Sequence, residues 1–188
     1  MHIPAVNTER LLLRPWTAGD AGTLFTILQE ADILRYFPNP TPPSLEKVER
    51  YIAHQLAHWQ ERGYGHWAIV SRDHGGVLGW NGLEYLPEVS QTEVAYLLSR
   101  HAWGKGLATE AARAAIRFGF ETAGLEKIIG LVHPDNTGSI RVLEKCGLTY
   151  SDRISLWGLE LCRYRIEKLS DDGDLVLHDP RHKGRLSL

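Results

Sequence analysis

Strands and helices separate in the pattern of apolar and polar positions. Short apolar or alternating runs mark strands at residues 10–14, 66–71, 77–85 and 93–99. The second and third flank Arg72-Asp73-His74-Gly75-Gly76, a turn-rich stretch that predicts a hairpin. Two helices precede that hairpin. One spans 20–29, with Asp20 placed as its cap. The other follows Pro38-Asn39-Pro40-Thr41-Pro42-Pro43, a loop that cannot be helical. Ser44 caps it, Glu46 suits its first turn, and Gly63 stops it after Arg62. Within it Val48, Ile52, Leu56 and Trp59 recur at helical spacing and predict the core-facing side. Downstream come a helix at 107–123 ended by Gly124, a strand at 127–132 and a helix at 139–146 closed by Gly147. Strands at 148–156 and 160–168 then form a last hairpin across Trp157-Gly158. The order is α+β, with a mixed and mainly antiparallel sheet. Residues 1–169 read as one domain without internal repeats, and the charged, turn-rich residues 170–188 read as a tail.

One junction carries chemistry. The strand at 93–99 leads into Trp103-Gly104-Lys105-Gly106-Leu107-Ala108-Thr109, and a helix leads out. Two glycines let the backbone pass close to a ligand. The new helix offers unpaired N–H groups and the positive end of its dipole, which together favour an anion. Residues 103–109 are therefore read as a phosphate or pyrophosphate grip. The spacing is not that of a P-loop. It also lacks the third glycine of the dinucleotide fingerprint, where Thr109 stands instead.

The run His101-Ala102-Trp103-Gly104-Lys105-Gly106 resembles the acetyl-coenzyme A signature of the GNAT superfamily of N-acetyltransferases, Q/R-x-x-G-x-G/A, with His101 at the usual Gln or Arg. His133-Pro134-Asp135-Asn136-Thr137-Gly138-Ser139 and Leu143-Glu144-Lys145-Cys146-Gly147-Leu148 resemble its second landmark, N-x-x-S/A…E-K-x-G-F. Thr8-Glu9-Arg10-Leu11-Leu12-Leu13-Arg14-Pro15 resembles the opening strand of the branch that holds the ribosomal-protein N-terminal alanine/serine acetyltransferases. The resemblance implies a GNAT-like sheet with flanking helices, in which the strands at 93–99 and 127–132 start parallel and splay apart. Acetyl-CoA would lie in that gap. Backbone groups of Tyr96, Leu97 and Leu98 would pair with its pantetheine arm, and residues 103–109 would hold its pyrophosphate. Asn136 would bond the pantetheine amides or make its own turn. Arg141 and Lys145 would reach the 3′-phosphate or line a solvated helix face.

Composition narrows the partners. The 188 residues are 43% hydrophobic and 23% charged, ordinary for a soluble domain with a sizeable core. A net charge of −2 offers no nucleic-acid surface. No apolar run approaches the roughly 20 residues of a membrane span, and the opening residues have no secretory pattern. Cys146 and Cys162 lack C-x-x-C spacing, which suits a reduced cytoplasmic protein. No metal site is expected. A homodimer through the final strands or the tail stays open.

If the ligand is acetyl-CoA, the chemistry is attack of a primary amine on a thioester. The amine must lose a proton, the oxyanion needs donors such as an N–H near Leu97, and the thiolate needs a donor. Glu93, at the start of its strand, is the first candidate for the base. Glu84 on the neighbouring strand and His133 across the cleft are the alternatives. The family's tyrosine acid falls at Leu143, so the acid is missing. The branch places a serine three residues after the asparagine, and Ser139 fits; its hydroxyl would stabilise the thiolate or merely cap a helix. Trp80 and Tyr85 flank the amine side, Tyr36, Phe37 and 38–43 wall it, and Trp59 and Trp67 read as core. The acceptor is an amine-bearing small molecule or a protein N-terminus. A non-catalytic CoA-sensing module is the competing reading that Leu143 raises.

Overall fold

A computed structural model describes residues 2–168, so the expected tail at 170–188 lies outside the described residues. The chain runs β1 (Val6–Asn7), β2 (Leu11–Arg14), α1 (Ala21–Leu28), α2 (Leu45–Arg62), β3 (His66–Ser71), β4 (Val77–Leu86) and β5 (Gln91–Leu98). It continues as α3 (Leu107–Glu121), β6 (Lys127–Val132), α4 (Thr137–Lys145), β7 (Thr149–Leu156) and β8 (Leu159–Glu167). The strands form one sheet in the order β1–β2–β3–β4–β5–β6–β8–β7. Every pairing is antiparallel except β5 with β6.

Alternation along the strands builds a core on each face of the sheet. Trp67, Ile69, Leu83, Val94 and Leu98 point to one face, where α3 lays down Ala111, Ala112, Ala115 and Phe118. Ala68, Trp80 and Leu97 point to the other, under Leu24 and Ile27 of α1 and Val48 and Ile52 of α2. Small residues bring α3 close to the sheet. A Cβ on Gly119 would stand 2.8 Å from both Ile128 Cδ1 and Leu83 Cδ1. The buried Asn81 Nδ2 also ties β4 to the Ala111 carbonyl at 3.0 Å.

Ser44 caps α2 as expected, its Oγ accepting the Lys47 N–H, and Gly63 ends it in the left-handed conformation. Leu56 is only half-buried, whereas Gln55 and His58 of the same helix are buried. Asp20 is not a side-chain cap. Its carboxylate reaches backward and accepts Thr17 N–H and Oγ1–H, both at 2.8 Å. It also forms a two-pronged pair with Arg14, both contacts 2.7 Å. Burial alone would raise its pKa, but these donors hold it below the usual carboxylate value. α4 starts at Thr137, two residues earlier than the pattern predicts, because Asn136 Oδ1 accepts the Ser139 N–H and serves as the cap.

The β5–β6 ladder is what opens the site. It consists of the single parallel pair Glu93↔Ile129. Beyond that pair the Leu131 N–H donates to Glu93 Oε1 at 3.0 Å, so a side chain stands at the head of the splay. β5 begins at Gln91, so Glu93 lies inside the strand and not at its start. Among the described residues no helix is long and apolar enough to cross a membrane.

Candidate active site

A cavity of about 1140 Å³ follows the splay from the amino end of α3 to the far side of the sheet. At one end, Trp103, Gly104, Gly106, Leu107, Ala108 and Thr109 line it. Gly104 and Gly106 have φ of 71° and 76°, a region open to glycine. Gly106 is the N-cap residue of α3 and brings no side chain, so the first N–H groups of the helix stay free for a ligand. A Cβ on Gly104 would meet nothing within 4 Å, so the loop is an open cradle.

The cradle is held from outside. Thr8 Oγ1–H and the Arg10 N–H donate to Glu110 Oε1 at 2.6 and 2.8 Å. Arg10 Nε donates to Glu110 Oε2 at 2.7 Å, and its Nη1 donates to the Lys105 carbonyl at 2.8 Å. Burial would raise the Glu110 pKa, yet the donors from Thr8 and Arg10 keep it lowered. The Thr8–Arg10 motif thus fixes the first turn of α3, a task the sequence reading did not assign. Trp103 donates its Nε1–H to the Leu98 carbonyl at 2.6 Å and leaves its ring half exposed.

In the middle of the cleft, antiparallel phase decides which backbone groups face the gap. Ser99 donates its N–H to the Leu78 carbonyl, and Trp80 pairs with Leu97 two residues on. Hydrogen-bonded pairs recur every second residue, so the Leu97 N–H turns to β4, while the N–H groups of Tyr96 and Leu98 turn toward β6. The expected donor near Leu97 therefore moves to its neighbours. The Tyr96 side chain crosses to α4, where its hydroxyl lies 2.9 Å from Ser139 Oγ and 3.2 Å from the Ser139 carbonyl. Ser139 does not cap α4; Asn136 does. Leu143 is 1% exposed and packs against Gly130, so no hydroxyl occupies that position. Arg141 and Lys145 line the cavity.

At the far end two carboxylates oppose each other, Glu84 on β4 and Glu93 on β5. Burial pushes Glu93 up to about 8; the Leu131 N–H opposes that rise and the Glu84 charge adds to it. Glu84 faces two histidines, His54 Nε2 at 3.3 Å and His66 Nε2 at 3.5 Å. His66 stacks on Trp80 with centroids 4.6 Å apart, and its Nδ1 meets the Tyr51 hydroxyl at 2.8 Å. Burial lowers His66 to about 4, against the pull of Glu84 and with help from His58 and His54, so the ring is neutral. Burial raises the Tyr51 hydroxyl well above its usual value. Tyr51 thus keeps its proton beside a neutral His66, whose Nε2 is buried without a hydrogen-bond partner among the described residues. His133 stacks on Tyr36 at 5.3 Å and accepts the Asp135 N–H at 3.2 Å. Tyr36 also donates to the Asp135 carbonyl at 3.1 Å, so the loop before the proline-rich segment bridges the cleft mouth. Among the described residues no group of three or more His, Cys, Asp or Glu is arranged to hold a metal ion.

The Tyr96–Ser139 contact and the Tyr51–His66–Glu84–His54 cluster were not foreseen, because each depends on how separate elements pack: the first joins residues 43 apart, the second three consecutive elements. The helical spacing of His54 and His58 on α2 was their one visible signal.

The sequence and the fold are similar to those of known proteins. The family model described as the acetyltransferase (GNAT) domain matches residues 10–149. The uncharacterized protein YkkB of Bacillus subtilis is 32% identical over 165 residues, covering 84% of this chain and 92% of the relative. The crystal structure of an acetyltransferase from Agrobacterium tumefaciens superposes with a TM-score of 0.78 at 29% identity, over 89% of this chain and 96% of that one. RimL, a ribosomal-protein α-N-acetyltransferase solved with coenzyme A, shares the fold at a TM-score of 0.75 and 15% identity, over 87% and 98% of the two chains.

Proposed function

The chain belongs to the GNAT acetyltransferase family, and on that premise we propose that it moves the acetyl group of acetyl-CoA to a primary amine in a single ternary complex. The observation that carries this reading is the continuity of the cavity. It joins an anion cradle at Gly104 and Gly106 to a pair of carboxylates, Glu84 and Glu93, across a parted strand pair. A coenzyme bound at one end and an amine at the other would meet there without a covalent enzyme intermediate.

Acetyl-CoA is the acetyl donor of this family, and the residues suit it. The free N–H groups of α3 and the open space over Gly104 fit a pyrophosphate. The backbone of Tyr96 and Leu98 fits an amide-rich arm laid along β5. Asn136, Arg141 and Lys145 border the same path. When bound, the group supplies an activated carbonyl and a sulfur leaving group.

Glu93 is the base in this reading. A pKa of about 8 is close to an operating pH near neutrality, where a general base works best. The amine's surplus proton passes to Glu93, and Glu84 with the exposed His54 offers the way to solvent. His133 is the weaker candidate, since its Nδ1 is engaged by Asp135 and its ring by Tyr36. Overall one ammonium and one thioester give one amide, one thiol and one proton.

The acceptor is an amine-bearing small molecule or a protein N-terminus. A ribosomal-protein N-terminus is the narrower form of this proposal, supported by the Thr8–Pro15 motif. Cys146 and Cys162, both free thiols, support a cytoplasmic setting. Thermal unfolding with acetyl-CoA, desulfo-CoA and ATP tests the reading. A ligand held about a hundred-fold above its Kd adds about 2.7 kcal/mol of stability. Shifts with both coenzyme forms and none with ATP are expected, followed by acetylation within a panel of amines and Ala- or Ser-initiated peptides. No shift with either coenzyme form would refute it. Tight binding with no transfer to any amine would favour the sensing module.

A further inference from the structure

The position that resembles the family's acid is closed in this chain. Leu143 is buried, and a Cβ on Gly130 of β6 would approach its Cδ2 to 2.6 Å. The hydroxyl pair that remains beside the cleft comes from two elements: Tyr96 reaches from β5 to Ser139 on α4, with both residues lining the cavity. We propose that Tyr96 is a positioning residue that turns the Ser139 hydroxyl into a fixed hydrogen-bond donor toward the sulfur of coenzyme A. The inference rests on the coenzyme reading given above.

Direction follows from acidity and geometry. Burial raises the Tyr96 pKa strongly, the Ser139 contact opposes that rise, and Cys146 past α4 and Glu93 on β5 both add to it. Tyr96 therefore keeps its proton and has it to donate. Its two acceptors in reach both belong to Ser139, Oγ at 2.9 Å and the carbonyl at 3.2 Å. When Tyr96 donates to Oγ, the Ser139 proton is left to point elsewhere. A serine inside a helix usually turns that proton back to the preceding turn; a donor at its oxygen and an anion in the cavity favour the opposite orientation. Tyr96, Ser139 and a sulfur then form one chain of hydrogen bonds, each polarising the next. As the C–N bond forms, the C–S bond breaks with its electron pair going to sulfur. Ser139 and Tyr96 retain their protons, and the amine's proton goes to Glu93.

The test is the ionisation of coenzyme A bound to the protein, followed by the ultraviolet absorbance of the thiolate as pH is raised. Wild type, Tyr96→Phe, Ser139→Ala and the double variant are compared, each with its Kd for desulfo-CoA. The bound thiol of the wild type should ionise about one pH unit or more below the free thiol, as a hydrogen bond to a charged group allows. Each single variant should abolish that shift. The double variant should lose no more than either, and desulfo-CoA should bind all four within about twofold. Should Tyr96→Phe be too unstable to titrate, Ser139→Ala read against Ser139→Thr serves, with the shift lost in the first and kept in the second. A Tyr96→Phe variant that titrates like wild type overturns the proposal and leaves the coenzyme reading intact. Equal weakening of desulfo-CoA and CoA overturns it as well, since that marks packing alone. Failure of the wild type to bind coenzyme A overturns the coenzyme reading itself.

Discussion

Replacing Glu93 with Gln should make the empty protein more stable at alkaline pH and leave it nearly unchanged in acid. Gln keeps an oxygen for the Leu131 N–H and removes the charge. The buried carboxyl holds its proton up to about 8, against an ordinary value of 4.5. In the unfolded chain the same group ionises near 4.5, so between those limits the folded state binds more protons. Stability then falls as pH rises through that window. The full separation corresponds to about 5 kcal/mol, and the part falling between about pH 5 and pH 8 is about 3.5 kcal/mol. Other groups also titrate there, so the quantity to measure is the difference between the two proteins. Urea unfolding at several pH values gives it directly. The Gln variant should gain on wild type by a few kcal/mol between pH 5 and pH 8, with little further gain above pH 9. Parallel stability curves would refute the argument, because they would mean that Glu93 is solvated or ionised in the folded protein. The same proton should appear in catalysis as a rising limb of kcat/KM near pH 8, and the limb should vanish in the variant.

Gly106→Val forces a β-branched residue into a φ of 76°, a strain of about 1–2 kcal/mol. Desulfo-CoA affinity by calorimetry should fall more than about tenfold with the fold retained, and normal affinity would remove the cradle from the coenzyme site. Arg10→Ala loosens the first turn of α3. Because the arginine side chain is 43% exposed, the stability loss should be about 1 kcal/mol or less, with coenzyme Kd raised several-fold and acceptor KM unchanged; a change in acceptor KM alone would contradict the clamp. Gly130→Ala pushes a methyl to 2.6 Å from Leu143, an overpacking cost of about 1–3 kcal/mol. Combining it with Leu143→Ala should recover part of the loss, whereas strictly additive destabilisation in urea would show that the two do not meet.

The parts of the fold readable from sequence are those decided by neighbours in the chain. Ser44, Gly63 and the glycines at 104 and 106 act within one turn of themselves, and each appears in the structure where its chemistry puts it. Asp20 looked like a cap by the same local logic. A guanidinium six residues earlier competes for its carboxylate, and a charge-assisted fork outweighs a cap bond. The early start of β5 was hidden for a related reason. Gln91 and Thr92 are polar and follow a turn, yet Leu86 and Tyr85 opposite supply the pairing that makes them strand. Local propensity cannot register a partner on another strand.

The site shows the same division more sharply. The cradle is a local object and could be read, but the side chains around the carboxylate pair and the splay are brought together by packing between elements. Glu93 meets Leu131, Tyr96 meets Ser139, Thr8 and Arg10 meet Glu110, and Tyr51, His66, Glu84 and His54 come from three elements. The closed position at Leu143 gives this assembly its logic. Gly130 leaves room for the Leu143 side chain against β6, so the contact between β6 and α4 is filled by hydrocarbon. The α4 hydroxyl beside the cleft is then Ser139, which meets Tyr96 from the opposite wall. Of the β5 residues whose backbone faces the gap, Tyr96 also carries a hydroxyl that reaches α4. The missing hydroxyl at Leu143 therefore does not by itself argue for an inactive protein, since Ser139 of α4 and Tyr96 of β5 bring two hydroxyls together in the same cleft.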